Sequence, residues 1–453
     1  MEGFDTNQRT AQHTTTHAAD LATATGFSST ATHSKAVSVQ DAQLEQALNQ
    51  ALPTDEHDHA PKVNTNPALH IDLSQVASPR SLDTTKVERI DSLRDSLGAK
   101  GDYLNPKGGN NTVIASGDSD VIRGAGGGLN TITTGTGRDT IILGRETTNR
   151  IFDFDPTSDR FALAGLNPKN IIIAQGKNPG KGGLDQPLDS VNNTLIIDKK
   201  SGHILAALTF TKASDLSENH FVKLTPEANG SLKNLKEEGF KSQKGDGKLT
   251  GTQGRDRLIG GAGDDFLYVG DDGFRFATAS GQGGTEFPFP TDSSGSTQLN
   301  LDLKSGSLKI NGTYQGFDGF PLFSQGETTI DPNARILNGS DPKALVDGFL
   351  RVPKDVEGNP ISGTHLHFSP AGDARGNFAD ATVVRFFTNT PTDAKSGTIA
   401  GEFELKPEEQ AALLAGNLYV NVHTNIDGDQ DGKAGFPTGE NRINLNRNVI
   451  QFA

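Results

Sequence analysis

The chain has no cysteine and no tryptophan, and its one methionine is Met1. Disulfides, thiolate metal sites and cysteine nucleophiles are thereby excluded. Aromatic residues make up 6% and apolar residues 33%, while glycine numbers 53. That balance points to turn-rich β structure with some disorder rather than to packed helices. No run approaches the roughly 18 apolar residues that a membrane span needs. Basic residues are outnumbered, 42 Lys and Arg against 56 Asp and Glu, for a net charge of −14. Nucleic acid and anionic membrane are poor partners for such a surface, whereas divalent cations suit it. The first residues, MEGFDTNQRTAQHTTTHAAD, lack a basic stretch followed by an apolar one, so no cleavable signal peptide is expected. A Walker loop, a dinucleotide fingerprint, an HExxH motif and a nucleophile elbow are also missing. No catalytic or cofactor-binding residue is assigned, and an enzyme is not expected.

Residues 1–65 are rich in Thr, Ala, His, Ser and Gln and are expected to be disordered. Within them Val39, Leu44, Leu48 and Leu52 recur at helical spacing, the pattern of a short marginal helix over 37–52. Residues 66–101 read as a short helical or linking segment. Val87, Ile90, Leu93 and Leu97 predict a second weak helix over 85–97.

From Gly108 the chain becomes repetitive. Asn111, Asp120, Asn130 and Asp139 stand at intervals of 9, 10 and 9, and each is followed two residues later by an aliphatic: Val113, Ile122, Ile132 and Ile141. Glycine lies two residues before three of the four, at Gly109, Gly128 and Gly137, with Asp118 in the remaining place. A second block repeats the pattern as Gly254/Asp256/Leu258 and Gly263/Asp265/Leu267. Glycines permit left-handed turns, the aspartates and turn carbonyls are hard oxygen ligands, and the aliphatics face inward from short strands. The string GGAGDDFLY fits GGxGxDxUx at every defined position and resembles the RTX, or hemolysin-type calcium-binding, repeat. The resemblance implies a parallel β-roll over 102–144 and a second short block over 249–273. Its calcium ligands would come from Asp120, Gly137, Asp139, Gly254, Asp256, Gly263 and Asp265. One turn of such a roll takes two nonapeptides, so Asp120 and Asp139 should share one edge and Asn111 and Asn130 the other. The first edge is then the one suited to calcium, and the second a neutral amide ladder.

Residues 145–224 predict β structure flanking the repeats. It includes a turn at Asp155–Pro156 and a hairpin with strands at 195–197 and 204–210. Residues 225–248, rich in Lys, Glu and Gly, read as a linker.

Residues 274–453 carry short strands between turns, with one helix predicted at 406–415 between Pro407 and Gly416. The strings GTHLHFSPAG (363–372), SGTIAGEFELKPEEQAALLAGNLYVNVHTN (396–425) and FPTGENRINL (436–445) resemble the CHRD domain. That resemblance implies an antiparallel sandwich related to immunoglobulin-like and superoxide-dismutase-like folds, with no settled activity. His365 and His367 share one strand face, and Leu366 and Phe368 the other, which places the histidines outside the core. If the strand before His423 neighbours theirs, the three imidazoles converge, a set suited to Cu or Zn. Asp427, Asp429 and Asp431 open like an EF-hand loop, and Glu440 stands beyond the ordinary twelfth position as a candidate bidentate ligand. These readings lead to an expected function: a mainly β, secreted or cell-surface calcium-binding protein. It would be structural or adhesive, exported by type I machinery and folded by calcium outside the cell. The alternatives are a module binding extracellular protein or polysaccharide, and a mononuclear Cu or Zn protein.

Overall fold

A computed structural model describes residues 69–179, 184, 187–232, 235–287, 289–319, 363–369, 383–393, 395–424, 426 and 439–453. The expected disordered region and its helix at 37–52 lie outside them.

The repeats build a two-sheet roll. From Tyr103–Asn105 the chain alternates between the sheets through Asn110–Ile114, Val121–Gly124, Gly128–Thr133, Thr140–Leu143, Thr147–Ile151 and Arg160–Leu163. Each strand pairs in parallel with the next but one. The aliphatics at the period-nine positions, Val113, Ile122, Ile132 and Ile141, are wholly buried between the sheets. Each removes about 2 kcal/mol of side-chain surface from water.

Three parts of the sequence reading change here. The roll continues past residue 144, because Asn149/Ile151 and Asp159/Phe161 form two further units; Ile151 and Phe161 join the same core. The second block adds to the first: Asp256–Ile259 pairs with Tyr103–Asn105, and Phe266–Tyr268 with Asn110–Ile114. Residues 225–248 are structured rather than a linker. Thr225 caps the helix Pro226–Gly230, Lys241–Lys244 joins one sheet and Lys248–Thr250 the other. The Lys, Glu and Gly content conceals Ala228, Leu232, Leu235 and Phe240, which cover the outer face of a sheet at Tyr103, Val121 and Ile142.

The helix predicted over 85–97 is replaced by the strand Glu88–Ile90, parallel to Phe221–Leu224, and a 3-10 turn Arg94–Ser96. The rest of the expected helical segment also differs, with a turn Leu73–Gln75 and a strand Ala77–Ser81. A short isolated helix is marginal, whereas a sheet edge offers ready backbone partners. The hairpin is as read, Thr194–Asp198 against His203–Leu208, with Gly202 at φ +74 in the turn.

Among the described residues, the main sheet of the C-terminal region is antiparallel with nine strands, and Phe274–Phe276 pairs separately with Ile450–Phe452. Its edge strands, Val383–Phe386 and Thr388–Asp393, are consecutive in sequence, so the sheet curls until its two edges meet. The alternating burial of Ser296–Lys304, Ser307–Gln315 and Ser396–Glu404 is that of strands with one wet face. The helix Pro407–Leu414 ends before Gly416 at φ +80 and packs on the roll strands Asn110–Ile114 and Gly128–Thr133. Thr133 Oγ1 donates to Ala411 O at 2.8 Å, and Asn417 Nδ2 donates to Phe152 O at 2.8 Å. Ile114, Phe152, Phe210 and Tyr268 of the roll share one core with Phe368 and Leu414 of the sheet.

Candidate metal centres

Stacking the roll lines up two columns of side chains. Along one edge stand Asp256, Asp102, Asp120, Asp139 and Asp159. The backbone amide of each donates to the Oδ1 of the next, at 2.7, 2.5, 2.8 and 3.0 Å. All five are buried. The second carboxylate oxygen of Asp120, Asp159 and Asp256 accepts the amide four residues earlier, from Ser116, Asp155 and Thr252. At Asp139 that pattern breaks. The Gly135 amide turns to Asp153 Oδ2 at 3.0 Å, and Asp139 Oδ2 is buried without a hydrogen-bond partner. Burial, with added repulsion from acidic neighbours, pushes Asp102 up to about 8 and Asp120 and Asp159 to about 7. Burial, then Asp120 and Asp159, raise Asp139 as well. The column therefore holds protons near neutrality unless a cation takes their place.

Along the other edge stand Asp265, Asn111, Asn130 and Asn149. The Asp265 amide donates to Asn111 Oδ1 at 2.8 Å, Asn111 Nδ2 to Asn130 Oδ1 at 3.0 Å, and Asn130 Nδ2 to Asn149 Oδ1 at 2.9 Å. Asn149 Nδ2 closes the series on the carbonyls of Gly124 and Leu205. Asp256 and Asp265, neighbours in the second block, thus lie on opposite edges. Gly137 and Gly254 take φ +134 and +105, which disfavour any other residue. Gly263 is not left-handed; its carbonyl lies 2.2 Å from where a Cβ on Gly109 would stand.

The second cluster lies in the curled sheet. Thr364–Phe368 pairs antiparallel with Leu418–Val422, setting His365 opposite Asn421 and His367 opposite Tyr419. The His423 amide donates to Gly363 O at 2.8 Å, which holds His423 beside the same strand. Nitrogens of His365, His367 and His423 all lie within 4.8 Å of one another. The convergence follows the strand reading, but the exposure does not: the three are only 4%, 5% and 2% exposed. Leu366 and Phe368 do fill the core, yet the opposite face is covered too, by Tyr419 stacked on His367 at 4.8 Å and by Phe386 edge-on to His365 at 5.7 Å.

Residues 277–428 match the CHRD domain, and residues 244–273 match the RTX calcium-binding nonapeptide repeat. The chain contains an RTX calcium-binding repeat domain and a C-terminal CHRD domain. A search of curated proteins found no match.

The RTX match begins at residue 244, ahead of the block read from the sequence. It takes in Gly245, Gly247 and Leu249, where Gly247 stands at the rung position and its amide donates to Asp265 Oδ1 at 2.6 Å. The RTX match leaves out the first block, which strand pairing makes part of the same roll. Asp102 and Asp159 escaped the sequence reading because Lys100 and Thr157 replace the expected glycine. The signal that remained was the acid followed two residues later by Leu104 or Phe161.

In the C-terminal region, Asp427, Asp429 and Asp431 lie outside the described residues. Glu440 is buried, and its carboxylate accepts from the Ser293 and Thr424 hydroxyls and from the Asp318 and Gly319 amides. Arg442, which nothing in the sequence singled out, lies 3.5 Å above the Tyr419 ring and donates to Asn444 Oδ1 at 2.7 Å. No helix among the described residues is long and apolar enough to cross a membrane.

Proposed function

We propose that this is a secreted, structural or adhesive calcium-binding protein whose roll becomes rigid when calcium replaces protons on the aspartate column. The observation that carries this reading is the stack of five buried carboxylates in which Asp139 Oδ2 has no partner. Hard oxygen donors in a glycine-turned edge fit calcium, and an unpaired buried carboxylate is costly without a cation. In a calcium-poor cytosol the acidic edge loosens through mutual repulsion, which suits export of an incompletely folded chain by type I machinery. Outside the cell, binding energy becomes folding energy. Because the roll and the CHRD domain share a core, calcium on the roll also firms the face on which the helix Pro407–Leu414 rests. In this reading Asp427, Asp429 and Asp431 serve a separate calcium loop, while Glu440 is held by four internal donors, and the sheet surface meets extracellular protein or polysaccharide.

The test is elemental analysis of the full chain exchanged into calcium buffer without chelator, followed by circular dichroism with and without chelator. Several calcium equivalents, and loss of β signal on chelation, support the reading. A calcium-free protein with an unchanged spectrum defeats it.

The buried histidine trio favours a second reading, a mononuclear Cu or Zn centre in the CHRD domain. One equivalent of either metal, absent from His365→Ala, would support it.

A further inference from the structure

The histidine trio has a chemical character that narrows its choice of ion. Among the described residues the group consists of three imidazoles alone, with no carboxylate joining it. Neutral ligands leave the ion's full charge in place, and here that charge would sit in a buried setting. Beside the trio the rings are ordered: His367 stacks on Tyr419 at 4.8 Å, and the Arg442 guanidinium lies 3.5 Å over the same Tyr419 ring. Arg442 is itself fully buried, so its positive charge, one aromatic residue away from His367, acts with little solvent screening. Glu286 is buried beside Asn421 and tempers the guanidinium, and it is not among the metal-ligating groups that gather with the trio. A divalent ion meets this cation at twice the cost of a monovalent one. Zinc also takes a fourth ligand as a rule, whereas three imidazoles suffice for cuprous copper. Sulfur ligands are no competitor, since the chain has no cysteine and no methionine other than Met1.

We infer that His365, His367 and His423 form a three-coordinate site selective for Cu(I) over Zn(II), with Arg442 positioned beside Tyr419 to penalise the doubly charged ion. This rests on the second reading above, that the trio holds a metal.

The experiment is anaerobic titration of the full, calcium-loaded chain with Cu(I) against a chromophoric competitor, repeated with Zn(II) and with Cu(II). X-ray absorption on the copper-loaded sample then counts the donor atoms. The expected result is one Cu(I) per chain on three nitrogens, not displaced by a tenfold excess of Zn(II). His365→Ala and His423→Gln should each abolish stoichiometric binding while keeping the β spectrum. Arg442→Met should narrow the preference for Cu(I) over Zn(II) by about 10-fold. Should that variant fail to fold, the wild-type competition still decides the matter. Preferential binding of Zn(II) or Cu(II) by the trio would overturn the Cu(I) inference and leave the metal reading standing. Absence of all three metals, or Cu(I) binding untouched in both histidine variants, would overturn both. Calcium content, measured on the same samples, reports separately on the roll.

Discussion

From Asp102 to Asp159 the two edges of the roll are built on one backbone pattern and differ, rung for rung, in little more than an amide for a carboxylate. On the asparagine edge each Nδ2 donates to the next Oδ1, so the column satisfies itself. On the aspartate edge the side chains can only accept. Each spends one oxygen on a neighbouring amide, and the column has no donors for all that remain. One edge is therefore complete as folded, and the other asks for protons or a cation. The same nonapeptide scaffold can hold a permanent edge and a conditional one side by side.

Removing calcium should give the largest effect. With the ion a thousandfold above its Kd, each occupied site contributes about 4 kcal/mol, so chelation should lower the melting temperature sharply. The pH dependence should reverse with it. Asp102, Asp120 and Asp159 titrate near 8, 7 and 7 when folded, against about 4 for ordinary aspartate. The calcium-free fold thus binds more protons than the unfolded chain between those values. Its stability is complete at low pH and is lost as pH rises through 7 to 8. Melting in chelator from pH 5 to 9 should show a fall that levels off above about 8, absent when calcium is saturating; a flat chelator profile would break the contrast between the edges.

Putting a carboxylate into the amide column comes next. Asn130→Asp removes the donor to Asn149 Oδ1 and buries a charge between amides, a loss of about 3 kcal/mol by denaturant unfolding. Asp139→Asn makes the opposite change. It should stabilise the calcium-free protein by about 2 kcal/mol, since the unpartnered oxygen becomes a donor beside Asp153 and Asp159, and should lower the calcium stoichiometry. If it destabilised the chelated protein instead, the column would be a plain structural network.

The smallest change concerns the join between the domains. Arg447 donates to Leu414 O and Gly135 O, each at 2.9 Å, and pairs with Asp153. Arg447→Ala should cost about 1 kcal/mol, because the guanidinium is partly exposed. It should broaden the thermal transition without changing calcium content.

Much of this was legible in the residues. Val113, Ile122, Ile132 and Ile141 announced an inward face, and the alternation of Asn with Asp announced two unlike edges. The period-two pattern of Thr364–Phe368 put the histidines on one side. What escaped had weaker local marks. Asp102 and Asp159 lack the flanking glycine, and the segment 225–248 hides four core residues among lysines and glycines. The covering of the histidines by Tyr419 and Phe386 has no local signature.

By itself the sequence determined the nine-residue period, and with it the parallel stacking, since inward aliphatics at that spacing can be buried together only by coiling. It also determined the absence of sulfur ligands and the excess of carboxylate. Only the tertiary structure decided that the two repeat blocks form one roll, bringing Asp256 onto Asp102 across 154 residues of chain. The reason is physical: a short block exposes its end strands, and the nearest matching edge belongs to the other block. Only the fold, likewise, decided that His365 and His367 of one strand meet His423, just past another, in a buried place. Position along a chain sets the face on which a side chain stands, and packing sets what lies over it.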